Sequence, residues 1–273
     1  MSAPELEDLE VDLLLDAMDR RYGYDFRRYS RNSLQRRLLA FAQHCGLDNL
    51  AQLIPPVLHE PGFIDRLVNS ISVPVTEPFR DPEGLAAIVR DVFPWLRSHA
   101  YSKLWVAGCA SGEEVLSLAI LLDEAGLLGR VQLYATDINT AMLAKAREAI
   151  YAVSALQDAQ QNYVKAGGRR KLSDYYVAQY GYAKALGHLQ AHTVFAQHNL
   201  ATDAAFGEMQ CIVCRNVLIY FNRDLQSRVL NLFLSSLASR GFLALGARET
   251  LGGTDAEQYF ETVDMDARLF RAL

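Results

Sequence analysis

Short β-rich apolar runs alternate with helical stretches over most of the chain, and this alternation restricts the fold more than any other feature. The runs cover 103–107, 131–137, 193–197, 211–214 and 242–245. Helical patterns such as 113–125 and 139–150 separate them. Strands joined in this way form parallel βαβ units with helices on both faces of one sheet. The final residues, 259–273, predict a closing pair of antiparallel strands.

The first part of the chain has a different pattern. From Leu6 to about Asn69 the apolar residues recur at helical spacing, with Leu34, Leu38 and Phe41 on one stripe. Breaks are predicted at Gly23 and at 46–48, 55–56 and 61–62, where glycine or proline opposes helix propagation. Three or four short helices are therefore expected.

These patterns predict an α/β protein with two domains. Residues 1–72 form an N-terminal helical domain with a following linker, and 73–273 form the domain that carries the sheet. The segment 70–82 contains three prolines and is expected to be an extended connection. The segment 151–192 has no sustained period, which predicts an insertion between the second and third strands.

Composition and charge restrict the class of protein. Of the 273 residues, 51% are hydrophobic and 22% are charged, which is typical of a globular chain. A formal net charge of -5 argues against a general nucleic-acid binder. Four cysteines and an acidic N-terminus predict a reducing, cytoplasmic compartment. The longest apolar run, 116–122, is too short to cross a bilayer, so we expect no direct membrane insertion.

A glycine-containing turn follows the first strand. Gly108 and Gly112 flank Cys-Ala-Ser, and a helix pattern starts directly afterwards. Such a turn permits close backbone approach, and the helix start offers unpaired N–H groups to a ligand. Asp137 ends the second strand, 25 residues after Gly112, where an acid accepts hydrogen bonds from ribose hydroxyls. The pair predicts an adenosine site, although ordinary turn chemistry explains it equally well.

The charges near this turn favour one cofactor over another. Two acids, Glu113 and Glu114, follow Gly112 and would repel a pyrophosphate. S-adenosylmethionine has no phosphate and carries cationic amino and sulfonium groups, so a carboxylate such as Glu114 is compatible with it. The sequence therefore favours a methyl donor over a nicotinamide cofactor.

A second polar group follows the fourth strand. Arg215, Asn216 and Tyr220 come just after 211–214, at the edge where open α/β sheets bind ligands. Cys211 and Cys214 have CxxC spacing, but side chains alternate along a strand and would place the two sulfurs on opposite faces. The histidines show no ligand spacing, and no metal site is expected.

Four motifs in this order resemble the chemoreceptor methyltransferases of the CheR family. They are Gly-Cys-Ala-Ser-Gly-Glu-Glu from Gly108, Ala-Thr-Asp ending at Asp137, His-Asn-Leu from His198, and Cys-Arg-Asn-Val-Leu-Ile-Tyr-Phe from Cys214. The resemblance covers nearly the whole chain and implies a Rossmann-like methyltransferase fold behind a small all-helical domain. It further implies methyl transfer from S-adenosylmethionine to receptor glutamates in chemotaxis, which leaves S-adenosylhomocysteine.

The resemblance also implies roles for particular residues. Arg80 and Tyr220 match the residues nearest the reacting centre. The implied cofactor contacts are Thr76, Arg80, Glu114, Asp137, Asn199, Leu200, Arg215 and Asn216. The glycine turn adds Gly108 to this set. The segment 76–80 is thereby expected to fold back over the cofactor. The chain departs from the family pattern at Pro74, Pro78 and Val115-Leu116, which bears on cofactor affinity.

The partner is expected to dock on the helical domain. Five arginines crowd into residues 27–37 of an otherwise acidic chain. A solvated face is the usual explanation of such a cluster. The resemblance instead implies that Arg36 and Arg37 meet acidic cytoplasmic helices of methyl-accepting chemoreceptors. Two alternatives stay open: a methyltransferase with another acceptor, and a signalling module with weak or no catalytic activity.

Overall fold

The computed structural model describes residues 3–72 and 76–273, and its N-terminal part is helical. The helices are α1 (Ala3–Tyr22), α2 (Arg31–His44), α3 (Ile54–His59) and α4 (Phe63–Ile71). They enclose a core of their own, in which Leu14, Leu38 and Leu67 are fully buried. The break predicted at 55–56 is wrong, because both prolines lie in the first turn of α3, where a missing N–H costs nothing.

The rest of the chain alternates between helices and strands. In chain order these are α5 (Pro82–Ala87), α6 (Phe93–Arg97), β1 (Ser102–Ala107), α7 (Glu113–Glu124), β2 (Val131–Asp137), α8 (Thr140–Glu148), β3 (Ile150–Ala152), α9 (Val153–Lys165), β4 (Tyr176–Gln179), β5 (Tyr182–Ala185), β6 (Thr193–Gln197), β7 (Met209–Cys214), α10 (Arg223–Ser236), β8 (Leu237–Leu245), β9 (Phe260–Asp264) and β10 (Leu269–Ala272). All five predicted runs are strands, and two of them, β2 and β6, have the predicted bounds.

Seven strands form the main sheet in the order β6-β2-β1-β7-β8-β10-β9. The first five are parallel, and β10 pairs antiparallel with both β8 and β9, as the sequence predicts. The chain moves outward from β1 through β2 to β6, then returns to β7 on the other side. A crevice therefore opens between β1 and β7 at their carboxyl ends, where ligands bind in open α/β sheets.

Alternating side chains divide the core between the two faces of the sheet. Leu104 and Val106 of β1 pack in the cluster that contains α7, while Trp105 and Ala107 pack in the cluster that contains α10. The two cysteines of β7 divide in the same way, since Cys211 belongs to the first cluster and Cys214 to the second. The expected separation of the two sulfurs is confirmed, and the four cysteines are free thiols.

A small second sheet lies between β2 and β6 in the chain. It has the antiparallel order β3-β5-β4 and is accompanied by α9. Glu124, at the end of α7, accepts hydrogen bonds from the hydroxyls of Tyr163 and Tyr175 and from the N–H of Arg169. This carboxylate ties α9 and the segment before β4 to the end of α7. Within the described residues no helix is both long and apolar enough to cross a bilayer.

Candidate cofactor and catalytic site

One cavity lies at the carboxyl ends of β1, β2, β6 and β7. Its walls include all the residues predicted for the cofactor or for catalysis, namely Thr76, Arg80, Gly108, Glu114, Asp137, Asn199, Leu200, Arg215, Asn216 and Tyr220. Arg37 of α2 also lines it, whereas Arg36 does not. Up to 144 positions separate these residues in the chain, so the fold brings together the segment 76–80 and residues of all four motifs.

Asp137 joins the loops that follow β1 and β2. Its Oδ2 accepts the N–H of Ala110 and its Oδ1 accepts the N–H of Asn139, each at 2.8 Å. Burial raises the pKa of Asp137, and these backbone donors oppose that shift. Because each carboxylate oxygen has two acceptor positions, both oxygens can still accept a hydroxyl from a ligand.

The two glycines of the turn are required by protein neighbours. Both have positive φ, +77° at Gly108 and +89° at Gly112. A Cβ on Gly108 would lie 2.4 Å from Cγ2 of Val217, and a Cβ on Gly112 would lie 2.8 Å from Cβ of Ala146. The turn is therefore fixed by packing against the loop after β7 and against α8, a reason that the sequence motif does not reveal.

The segment that follows residue 75 is anchored through Phe79. The N–H of Phe79 donates to Oγ of Ser117 at 3.0 Å, and its ring packs edge-on against Tyr163. Phe79 and Asp81 adopt positive φ values of 55° and 45°, which non-glycine residues rarely do. Arg80 is thereby held in the cavity wall. Pro74 lies outside the described residues.

The other departures from the family pattern are packing positions. Pro78 is buried, and Val115 and Leu116 are each 2% exposed within the core under the sheet. None of these three residues lines the cavity. Their effect on cofactor affinity stays a prediction.

Arg215 connects three parts of the site. Its guanidinium forms a salt bridge with Glu114 and donates to the carbonyls of Arg80 at 2.8 Å and Asp81 at 2.9 Å. The side chains of Arg215 and Glu114 are only 3% and 15% exposed. Glu114 is therefore not an unbalanced carboxylate, as the charge argument assumed, because Arg215 neutralises it.

The charges at the cavity are close to balanced. Its described walls contain the arginines Arg37, Arg80 and Arg215 and the carboxylates Glu114 and Asp137. Asp81 adds a third carboxylate just outside the wall, 3.6 Å from Arg215. A cationic ligand in this partly buried cavity would therefore favour an anionic group beside it.

Tyr220 lies where the two domains meet. The N–H of Ser30 donates to its carbonyl at 2.8 Å, and the N–H of Asn222 donates to the carbonyl of Arg28 at 2.8 Å. The guanidinium of Arg37 lies 5.6 Å from the centre of the Tyr220 ring. The helical domain thus forms one wall of the cavity, a contribution that the sequence did not indicate.

Two of the five arginines in the basic cluster of the helical domain form ion pairs with carboxylates. Arg27 pairs with Asp19 and Asp25, and Arg31 pairs with Asp8 and Asp12 on α1. These surface pairs are worth little energy, but they reduce the positive charge of this face.

The two predicted docking arginines lie in different environments. Arg37 is half-buried and donates to the carbonyl of Ile71 at 2.7 Å, and burial lowers its pKa. Arg36 is exposed on another face of α2, in a shallow groove with Asn32, Gln35 and Leu39. Of the two, Arg36 is accessible to a macromolecule.

The loop after β6 supplies a mixed polar and apolar wall. Asn199 is 8% exposed, and its side-chain oxygen accepts the N–H of Ala201 at 3.0 Å. Leu200 is 7% exposed. His198 packs edge-on against Trp105, 5.2 Å between ring centres.

Sequence reasoning missed one buried acid beside the cavity. Glu249 follows the end of β8 and is 3% exposed. It accepts hydrogen bonds from four backbone N–H groups, those of Asn216, Val217, Leu218 and Gly246. Burial raises the pKa of Glu249, and the four donors oppose that shift. An acid just beyond the carboxyl end of a buried strand was the available signal.

The walls of the cavity fit S-adenosylmethionine. Asp137 offers acceptors for ribose hydroxyls, and the apolar side chains of Ile138, Met142 and Leu200 offer surfaces for an adenine ring. Glu114, Arg80 and Thr76 provide polar partners for an amino acid portion. Among the described residues no three His, Cys, Asp or Glu side chains group as metal ligands do.

Comparison with known proteins gives the family. Residues 74–269 match the family described as CheR methyltransferase, SAM binding domain, and residues 9–72 match CheR methyltransferase, all-alpha domain. The Pseudomonas putida protein named Cher3 is 44% identical over 271 residues, 99% of each chain.

Two further relatives bear the name chemotaxis protein methyltransferase. The protein from Listeria innocua is 28% identical over 90% of this chain and 92% of its own. Chemotaxis protein methyltransferase 2 of Pseudomonas aeruginosa is 30% identical over 81% of this chain and 77% of its own.

The predicted family, Rossmann-like fold and cofactor S-adenosylmethionine are confirmed by these matches. The chain belongs to the CheR methyltransferase family and is an S-adenosylmethionine-dependent methyltransferase.

Proposed function

We propose that this protein transfers methyl groups to glutamate side chains of chemoreceptors in the cytoplasm, as a step of chemotaxis adaptation. The observation that carries the proposal is the pair of arginines, Arg80 and Arg37, that line the cavity together with Tyr220. S-adenosylmethionine brings a net positive charge when it binds. A carboxylate acceptor offsets that charge, whereas an amine or an uncharged acceptor does not. The names of the relatives from Listeria innocua and Pseudomonas aeruginosa support the chemotaxis role.

The chemistry requires little from the protein beyond position. A glutamate side chain has an unperturbed pKa of about 4.3, so the acceptor is already ionised and needs no general base. Bound S-adenosylmethionine supplies the methyl group: a carboxylate oxygen bonds to the methyl carbon while the carbon–sulfur bond breaks and its electrons stay on sulfur. Rate then depends on holding the acceptor in line and on removing its water.

Each residue of the cavity has a proposed part in this arrangement. Asp137, Asn199, Leu200 and Asn216, with the turn at Gly108, hold the adenosine portion. Thr76, Glu114 and Arg215 hold or shape the site of the amino acid portion, Arg215 by fixing Glu114 and the backbone at Arg80. Arg80 orients the carboxylate through the oxygen that does not attack, since pairing with the attacking oxygen would weaken it as a nucleophile. Tyr220 forms the wall of the cavity beside the acceptor.

We further propose that residues 1–72 recognise the receptor through the exposed face of α2. Arg36 is the accessible cation of that face, and Arg37 instead contributes to the cavity wall. Receptor helices with acidic side chains are complementary to Arg36 in charge. Contacts of this kind mainly increase the rate of association and weaken as salt is added.

Labelled S-adenosylmethionine and membranes that contain chemoreceptors test the proposal. We expect base-labile methyl esters on a receptor-sized protein, and incorporation in R36E reduced about tenfold at low salt. The matched control is R21E, which reverses an exposed arginine on α1 and should leave incorporation unchanged. Label on RNA or on a small molecule would contradict the acceptor. Failure to bind S-adenosylhomocysteine by calorimetry would instead favour an inactive signalling module.

A further inference from the structure

Glu249 is a buried carboxylate whose hydrogen-bond partners among the described residues are all backbone N–H groups. Its Oε1 accepts from Val217 at 2.8 Å and Leu218 at 2.7 Å, and its Oε2 accepts from Asn216 at 3.0 Å and Gly246 at 2.6 Å. Three of the four donors are consecutive residues of the loop that leaves β7. The carboxylate therefore fixes the backbone of this loop, and residues of the same loop line the cavity.

The held loop carries two residues of the proposed site. Asn216 has φ of +62°, a conformation that non-glycine residues rarely adopt without support. The donors Val217 and Leu218 lead into the short 3₁₀ turn that ends at Tyr220. Hydrogen bonds to an ionised acceptor are about twice as strong as neutral ones, so Glu249 is well suited to stabilise this backbone.

Gly246 packs closely against the same contact between Glu249 and the loop. A Cβ at this position would lie 2.8 Å from the N atom of Asn216, 2.8 Å from Oε2 of Glu249 and 3.2 Å from Nδ2 of Asn216. The end of β8 thus touches Asn216 directly, with no room for a methyl group. A change at Gly246 displaces the loop without removing the carboxylate.

We propose that Glu249 is a positioning residue, which sets Asn216 for the cofactor and Tyr220 for the acceptor without touching either ligand. Glu249 does not line the cavity, so any effect on ligand binding must pass through the loop. The inference rests on the function proposed above for Asn216 and Tyr220. Its structural part, that Glu249 holds the loop, is testable without cofactor.

The test replaces Glu249 by glutamine, which has the same shape. An amide presents one acceptor oxygen and one NH₂ group, so two of the four N–H groups would face another donor. We expect amide hydrogen exchange over residues 215–221 to become at least about tenfold faster while exchange in β1 is unchanged. The dissociation constant for S-adenosylhomocysteine should rise about tenfold, equivalent to about 1.4 kcal/mol, and kcat should fall further than KM rises.

E124Q is the matched control, because Glu124 also accepts three hydrogen bonds but lies away from the cavity. It should lower thermal stability and leave cofactor affinity within about twofold. G246A keeps the carboxylate but displaces the loop, so it should weaken cofactor binding as E249Q does. Agreement between the two variants would show that the loss comes from the loop and not from a general folding defect.

Each outcome bears on one of the two proposals. Unchanged exchange over 215–221 in E249Q, or equal loss of affinity in E249Q and E124Q, would overturn the positioning role. Wild-type protein that shows the expected exchange pattern but binds no S-adenosylhomocysteine would overturn the proposed function and leave Glu249 as the anchor of the loop.

Discussion

The salt bridge between Arg215 and Glu114 makes a quantitative prediction about stability. Replacing Arg215 by methionine preserves most of the volume but leaves Glu114 as a charge that is 85% removed from solvent, since its side chain is 15% exposed. Breaking a buried pair by removing one partner costs about 3–5 kcal/mol. Because Glu114 keeps some contact with water, we expect about 3 kcal/mol.

The contributions of Arg215 can be separated with two further variants. R215K keeps a positive charge beside Glu114, but a single ammonium cannot reproduce the fork that also reaches the carbonyls of Arg80 and Asp81. Two lost hydrogen bonds at about 0.5–1.5 kcal/mol each predict a loss of about 2 kcal/mol. In R215M/E114Q the isolated charge is absent, so about 1–3 kcal/mol of the loss in R215M should return.

Urea unfolding followed by tryptophan fluorescence provides the measurement. The chain has two tryptophans, and Trp105 is fully buried beside the site, with its Nε1–H donating to Thr136 at 2.8 Å. A loss below about 1 kcal/mol in R215M would show that Glu114 regains contact with water once its partner is gone. A double variant no more stable than R215M would show that the coupling between the two side chains is absent.

Three shorter predictions concern the loops of the site. Because burial raises the pKa of Asp137, the folded protein binds its proton more tightly than the unfolded chain does. The unfolding free energy of wild type relative to D137N should therefore fall as pH rises from about 4 through that raised pKa, by urea titration. G108A should abolish cofactor binding in calorimetry through the clash with Val217, whereas G126A, with open space around it, should retain binding. N139A removes the cap of α8 and should cost about 1 kcal/mol in urea unfolding.

The main sheet could be predicted because its central strands, β1 and β7, are buried along most of their length. Four of the seven residues of β2 are apolar, and the limits of that strand are visible in the sequence. The small sheet could not be predicted. Its strands have three or four residues, and β4 is mostly exposed, so neither length nor alternation marks them. Their order depends on pairing across the chain, which composition does not encode.

Some residues of the site could be predicted from the sequence and others could not. Asp137 and Asn216 could be identified because the chemistry expected of them depends on their side chains. Glu249 could not, since its partners are backbone N–H groups that any residue other than proline supplies. The contact of Gly108 with Val217 could not be predicted either, because Val217 lies 109 positions later in the chain.

A partner distant in sequence changes the electrostatic role of Glu114 without reversing the preference for an anionic acceptor. Glu114 was expected to complement a cationic cofactor, yet Arg215 neutralises it from 101 positions away. With Asp81 also beside Arg215, the charges of the described residues balance, and S-adenosylmethionine, with two cationic groups and one carboxylate, adds one positive charge. An uncompensated charge in a partly dehydrated cavity is unfavourable. An anionic acceptor offsets that charge, so cofactor and glutamate should each bind more tightly in the presence of the other, by the same factor.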